Sequence, residues 1–224
     1  MIEGNELNLL NRLEFWTKLN SREQKNLIDN IEKKSFPKNK IVYEGLDDCK
    51  GLILVKSGQL RTFILSENGK EVTLYRLFED DVCIMSASCA LNNITFDVYI
   101  EAEKNSEILL IPSEIYMRLS ENNIYVQKFT NEITLSRFSD VMWIMEQVLF
   151  MSFDKRLAIF LLEQSNIEKS NTLYITHEDI AKNIGSAREV VSRMLKYFQN
   201  EGYVKTERGN ILITDKKKLL QLTT

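Results

Sequence analysis

The chain has 224 residues, of which 44% are hydrophobic and 27% charged, with a formal net charge of −3. These proportions suit a globular protein of one large or two smaller domains, and two prolines and eight glycines leave little room for disorder or long linkers. The apolar runs are too short for a membrane span, and the N-terminus, MIEGNELNLL, lacks the basic region and apolar core of a signal peptide, so a cytoplasmic location is expected. Three cysteines (Cys49, Cys83 and Cys89), no C-x-x-C pair and a single histidine argue against a disulfide framework or a zinc site, and no metal is expected.

The charge is unevenly spread. Residues 1–151 carry 17 Lys+Arg against 23 Asp+Glu, whereas residues 152–224 carry 12 against 9. A mildly basic C-terminal third hints at a polyanionic partner, although so small an excess also arises by chance.

Residues 5–34 read as two short helices, with Leu9, Leu10, Leu13, Phe15, Trp16 and Leu19 at helical spacing. Ser21 opens S-R-E-Q, a capping segment with Gln24 at the third helical position. From about 35 to 112 strand-like runs alternate with turns, and Asn68-Gly69 between two such runs predicts a hairpin. Closely spaced strands of this kind predict an antiparallel barrel or sandwich.

Pro112 ends the strand region. Residues 113–151 then read as helix, broken near Asn122-Asn123. Phe138, Val141, Met145 and Val148 step by 3, 4 and 3, an a/d-like seam, and Leu135, Met142 and Leu149 form a second stripe. One stripe can cover the barrel while the other meets a partner helix, or both can be core. So long and apolar a helix has more face than one small barrel covers, which favours a dimer helix. A further helix follows over 152–170, with Ser152 and Asp154 as candidate caps, and LYIT (173–176) reads as a short strand.

HEDIAKNIGSAREVVSRMLKYF, residues 177–198, fits a helix-turn-helix in register. Ile180, Ile184, Val191 and Met194 hold two helices together, Ala181 permits their close approach, and Gly185 supplies a turn at positive φ. An ordinary helical hairpin is the competing reading. Arg188, Glu189, Ser192 and Arg193 then cluster on the first turns of the second helix, where a recognition helix meets base edges. Arginine can grip guanine O6 and N7, and glutamate can accept from cytosine N4. A pure phosphate binder gains nothing from Glu189, so this residue favours sequence readout, unless it only pairs with Arg188 or Arg193 on a solvated face. Tyr203 to Ile213 reads as a hairpin wing with Arg208-Gly209-Asn210 at its tip. Lys182, Lys196, Lys205 and Arg208 are candidate phosphate contacts or plain surface.

In this order of parts the chain resembles the cyclic-AMP receptor protein and fumarate–nitrate regulator (Crp/Fnr) family of bacterial transcription factors. GLILVKSGQLRTFILSENGKEVTLYRLFEDDV is similar to that family's barrel segment, FDKRLAIFLLE to the start of its DNA-binding domain, and SAREVVSRMLKYF to its recognition helix. The resemblance covers essentially the whole chain. It implies an α+β fold: an N-terminal antiparallel β-barrel of the cyclic-nucleotide-binding, double-stranded β-helix kind, a long dimerisation helix and a C-terminal winged helix-turn-helix. The implied domains are 1–112 (effector sensing, with the N-terminal helices), 113–151 (dimerisation helix and linker) and 152–224 (DNA binding). It further implies a homodimer on double-stranded DNA carrying an inverted repeat, RNA polymerase as a further partner, and no enzymatic activity. Ser192 matches the E-x-x-S-R form of the fumarate–nitrate branch, and Arg188 favours TGTGA-like half-sites.

The departures concern the effector. Where cyclic-nucleotide binders carry a glutamate and an arginine, this chain has Met85 and, near the arginine position, Thr95, so a nucleotide phosphate would lack its cation. Cyclic AMP is therefore not the expected effector. The N-terminal cysteine cluster of iron–sulfur members is absent, and the only histidine, His177, lies in the DNA-binding segment, so neither iron–sulfur nor haem is expected. Cys83, Met85, Ser86, Ser88, Cys89 and Thr95 mark the expected effector region. Cys83, Met85 and Cys89 can form a redox or thiolate-ligated site, or simply line an apolar cavity as buried residues. The effector itself stays unidentified. The rival readings are a metal-dependent barrel enzyme, which needs histidines the barrel lacks, and a ligand-binding regulatory subunit acting on protein partners, which needs no recognition helix.

Overall fold

The computed structural model describes residues 4–45, 50–84, 86 and 97–223. The chain divides into two compact units: Met1–Ile64 with Leu74–Val141, and Leu65–Thr73 with Met142–Thr224.

The first unit opens with α1 (Gly4–Leu10), a single 3-10 turn (Trp16–Lys18) and α2 (Ser21–Asn30). The capping box of α2 sits one residue earlier than expected. Asn20, not Ser21, is the cap: its Oδ1 accepts from the Arg22 and Glu23 amides, and Glu23, not Gln24, accepts from the Asn20 amide. Adjacent Asn and Ser are both good caps, and the reciprocal carboxylate at Glu23 favours the Asn register.

Among the described residues eight strands follow: β1 (Glu32–Phe36), β2 (Ile41–Glu44), β3 (Gly51–Ser57), β4 (Leu60–Leu65), β5 (Glu71–Leu77), β6 (Val82–Cys83), β7 (Tyr99–Ala102) and β8 (Ser106–Pro112). They form two four-stranded antiparallel sheets, β1-β8-β3-β6 and β2-β7-β4-β5. The pair is of jelly-roll type and, among the described residues, does not close into a barrel. The β4–β5 hairpin turns at Gly69, whose φ is 74°, as its Asn-Gly sequence predicts.

β3 and β8 read as unbroken apolar runs because both their faces are covered. Leu52, Leu54, Leu109 and Ile111 pack with Leu10, Phe15 and Leu27 of the N-terminal segment and with Tyr116 and Val126. Ile53, Val55, Ile108 and Leu110 face the other way, with Leu60, Tyr75, Cys83 and Ile100. Each such aliphatic side chain contributes about 1.5–3 kcal/mol on burial. Gly51, where β3 starts opposite Pro112, has φ 134°, and a Cβ there would lie 1.9 Å from the Ile111 carbonyl oxygen. Gly51→Ala is expected to lower unfolding free energy on the order of 2–3 kcal/mol, read as a lower urea midpoint at unchanged slope.

α3 (Ser113–Asn122) and α4 (Ile124–Phe150) are separated at Asn123, which is extended and whose Oδ1 accepts from the Tyr125 amide. The helical break thus falls at the expected Asn-Asn pair.

In the second unit, α5 (Phe153–Glu168), β9 (Thr172–Leu173), α6 (His177–Ile184), α7 (Arg188–Asn200), β10 (Val204–Glu207), β11 (Asn210–Ile213) and α8 (Lys216–Gln221) enclose one core. Leu157, Leu161, Ile180, Val191, Leu195, Phe198 and Ile211 are its centre. Ser152 stands at the N-cap of α5 without making a side-chain cap bond. The strand expected over 173–176 is shorter, because Thr176 is taken as the cap of α6 in a box with Asp179. The small sheet runs β10-β11-β9.

Candidate nucleic-acid interface

α6 and α7 form the expected helix-turn-helix. Gly185, at φ 63°, is the left-handed residue that ends α6. Ala181 and Ile180 on α6 and Val191 and Leu195 on α7 are buried, so the two helices lock through those positions. Arg156 of α5 reinforces the turn: its Nη1 donates to the Ile184 carbonyl at 3.0 Å, satisfying one of the carbonyls left open at the helix end. Partial burial holds that guanidinium below its ordinary pKa.

α7 begins at Arg188, so the expected base-reading residues occupy its first two turns. Arg188, Glu189 and Arg193 are exposed, and Ser192 is half-buried. Among the described residues no ion pair joins Glu189 to either arginine. The three charged side chains therefore stand on one solvent-facing surface, and the acid is not tied up by its neighbours.

His177 is the first residue of α6. Its ring is half-buried, and Nδ1 lies 2.8 Å from the Ser192 hydroxyl, fifteen residues away across the turn. Burial, and then the nearby Arg188 cation, hold its pKa below the ordinary histidine value. No periodicity or motif announces this contact.

The candidate phosphate contacts divide. Lys196 and Arg208 are exposed, Arg208 beside Gly209 at the tip of the β10–β11 wing. Lys205 is exposed but paired with Glu207 at 2.8 Å, which raises the lysine pKa and lowers that of the acid. Lys182 pairs with Glu71 at 3.4 Å within the second unit, where Thr73 also donates to Asn183 at 2.7 Å. The wing is fastened to α7, since Gln199 Oε1 accepts from both the Thr206 amide, at 2.9 Å, and its hydroxyl.

Of the expected effector residues, Met85, Ser88, Cys89 and Thr95 lie outside the described residues. Cys83 is fully buried, with its Sγ 3.9 Å from the Tyr75 hydroxyl. Ser86 donates to the Gly51 carbonyl at 2.6 Å, a backbone partner 35 residues away in the chain. The Tyr75 phenol is pushed well above its ordinary pKa by burial, and the Arg137 guanidinium lies 4.7 Å from its ring centroid. Among the described residues, a cavity of about 200 Å³ beside this core is lined by Phe36, Ile41, Val42, Ile53, Ile108 and Leu110 with two lysines. Neither Cys83 nor Ser86 lines it. Lys34 pairs with Glu32, and Lys50 donates to the Val42 carbonyl.

On α4, Phe138, Met145 and Val148 are exposed, as are Leu135, Met142 and Leu149. Val141 alone of the first stripe turns toward the core, packing with the Tyr75–Cys83 cluster. Phe138 is 62% exposed and Leu135 66%, unusual for such residues on a helix of 27 residues. Among the described residues no helix is long and apolar enough to cross a membrane.

Comparison with known proteins matches residues 33–123 to the cyclic nucleotide-binding domain and residues 155–222 to the Crp-like helix-turn-helix domain. A crystal structure from Eubacterium rectale, assigned to the crp/fnr family of transcriptional regulators, is 51% identical. The match covers 95% of this chain and 99% of that one, with a TM-score of 0.92. Electron transport regulator A of Shewanella oneidensis is 26% identical, over 90% of this chain and 82% of its own length. The anaerobic regulatory protein of Haemophilus influenzae is 25% identical, over 92% and 82%.

Proposed function

Since the chain belongs to the Crp/Fnr family of transcription regulators, non-enzymatic proteins with an effector-binding and a helix-turn-helix DNA-binding domain, we propose that it acts as a homodimer reading an inverted repeat. In this reading residues 1–112 sense, 113–151 dimerise and 152–224 bind DNA in the cytoplasm, with RNA polymerase as a further partner. The observation that carries it is the solvent-facing Arg188, Glu189 and Arg193 on the first two turns of α7. Phe138, Met145 and Val148, exposed on α4, join two copies. Arg188 and Arg193 grip guanines, Glu189 accepts from cytosine, and Ser192 completes the set, favouring TGTGA-like half-sites. Lys196 and Arg208 meet phosphates, and Lys182 and Lys205 do so on leaving their acidic partners.

The effector region is that of Cys83, Met85, Ser86, Ser88, Cys89 and Thr95. Cyclic AMP stays disfavoured, because Met85 and Thr95 stand where cyclic-nucleotide binders carry a glutamate and an arginine, and a nucleotide phosphate would lack its cation. We assign the effector to an unidentified small molecule or a redox signal.

Selection of binding sites from a random DNA library tests the reading. It should return an inverted repeat with half-site centres about 34 Å apart, one helical turn. Recovery of single half-sites, or of no motif, would refute it.

A further inference from the structure

We propose that His177 sets the polarity of the Ser192 hydroxyl, so that protonation of this one ring changes which bases α7 prefers. The inference rests on the DNA-reading assignment of α7 and goes beyond it by naming a residue that acts on specificity through another. His177 is a positioning residue in this scheme; Ser192 touches the base.

The geometry has two parts. His177 is the first residue of α6, and its Nδ1 reaches Ser192 on the second turn of α7 at 2.8 Å. Ser192 stands among Arg188, Glu189 and Arg193, so what its hydroxyl presents outward bears on base readout. The opposite ring nitrogen, Nε2, has no protein partner among the described residues.

A hydroxyl has one proton to give and two lone pairs, while each imidazole nitrogen donates or accepts according to its own proton. A phosphate oxygen at Nε2 accepts only, so it requires Nε2 to carry hydrogen. With the ring neutral, Nδ1 is then bare and accepts the Ser192 proton. The serine oxygen is left facing the groove as an acceptor, matched to the amino groups of adenine N6 and cytosine N4. When the ring takes up a proton, Nδ1 donates to the serine oxygen instead. The serine proton is released toward the groove, where it suits guanine O6 or N7 and thymine O4. One proton taken from solvent thus turns Ser192 from acceptor to donor, and no other bond changes.

The charges around the ring decide where this occurs. On α7, Arg188 disfavours the imidazolium, and burial acts in the same direction and more strongly. On α6 itself the charged groups are Glu178, Asp179 and Lys182; Asp179 is committed to Thr176, and Lys182 to Glu71. In the free protein the ring titrates below the ordinary histidine value, so folding favours its neutral form. That contribution to stability is complete above the unfolded-state pKa and is lost as pH falls through the folded one. A DNA phosphate opposes Arg188 and raises the pKa in the complex. DNA affinity is therefore expected to be greatest in acid and to decline as pH rises through the pKa of the complex.

His177 is the only histidine in the chain, which makes the test direct. Its Cε1 proton resonance, followed by NMR, should titrate below the free-histidine range and move upward when operator DNA is added. Affinities are then measured at pH 5.5 and pH 8 for operators carrying each of the four base pairs at every half-site position. The wild type should change its preferred base class at a single position by fivefold or more between the two pH values. Ser192→Ala and His177→Asn should each abolish that change, while Ser192→Ala retains the upward NMR shift. A wild-type preference that does not vary with pH, or a variation that survives in Ser192→Ala, overturns the proposal while leaving sequence-specific binding intact. Absence of sequence-specific binding at both pH values removes the DNA-reading assignment and this inference together.

Discussion

Phe138→Glu, combined with Met145→Glu, is expected to convert the proposed dimer into a folded monomer that binds a full operator about 100-fold more weakly or worse. The two side chains stand seven residues apart on the exposed face of α4, 62% and 50% accessible in the single chain. Seven residues is two turns, so in a parallel pairing they meet the same positions of the second copy. A carboxylate at each forces four like charges into an apolar seam, which loses burial and adds repulsion. The DNA effect follows from linkage. Two half-sites held by one dimer gain roughly 10²–10⁴ over independent binding, and a monomer forfeits that factor. Analytical ultracentrifugation reads the assembly state, circular dichroism the fold, and a gel shift the affinity. A double variant that stays dimeric would show that the seam lies elsewhere.

Arg188→Ala should weaken operator binding by about 2–6 kcal/mol, from a loss of about 1–3 kcal/mol at each of two half-sites. Glu189→Ala should behave differently. It removes an acceptor that also repels phosphates, so affinity for unrelated DNA stays level or rises, while discrimination at one base pair of each half-site relaxes. Competition gel shifts on operators changed at single positions separate the two outcomes. If Glu189→Ala weakens every sequence equally, the acid does not read a base. Lys196→Ala supplies the contrast, with a uniform loss and a salt dependence shallower by about one charge per protomer.

Much of this site is written in local sequence. Gly185 ends α6 at positive φ, and Ala181, Val191 and Leu195 are buried where the two-helix register needs them. Each is a short-range requirement: a backbone angle, a close approach, a turn of helix. The Asn68-Gly69 hairpin and the break at Asn123 were legible for the same reason. The pairing of β1 with β8 and of β2 with β7 was not, because residues far apart in the chain, such as Lys34 and Ile108 or Ile41 and Glu101, meet only through the whole jelly roll. The His177–Ser192 bond escaped for a smaller version of that reason. Its two ends belong to different helices, and only the angle between those helices brings them to 2.8 Å. Lys182 and Lys205 read in sequence as phosphate contacts or plain surface; Glu71, the partner of Lys182, is brought to it only by the fold, whereas Glu207 stands two residues from Lys205.

The double acceptance by Gln199 from Thr206, at the end of α7, carries a thermodynamic consequence. β10 and α7 are tied together within the folded chain, before any duplex arrives. The entropy of ordering the wing is thus settled during folding and not at docking, which leaves more of the contact enthalpy available for choosing among sequences. Loosening that stitch with Gln199→Ala would be felt calorimetrically, as a more exothermic and entropically more costly association.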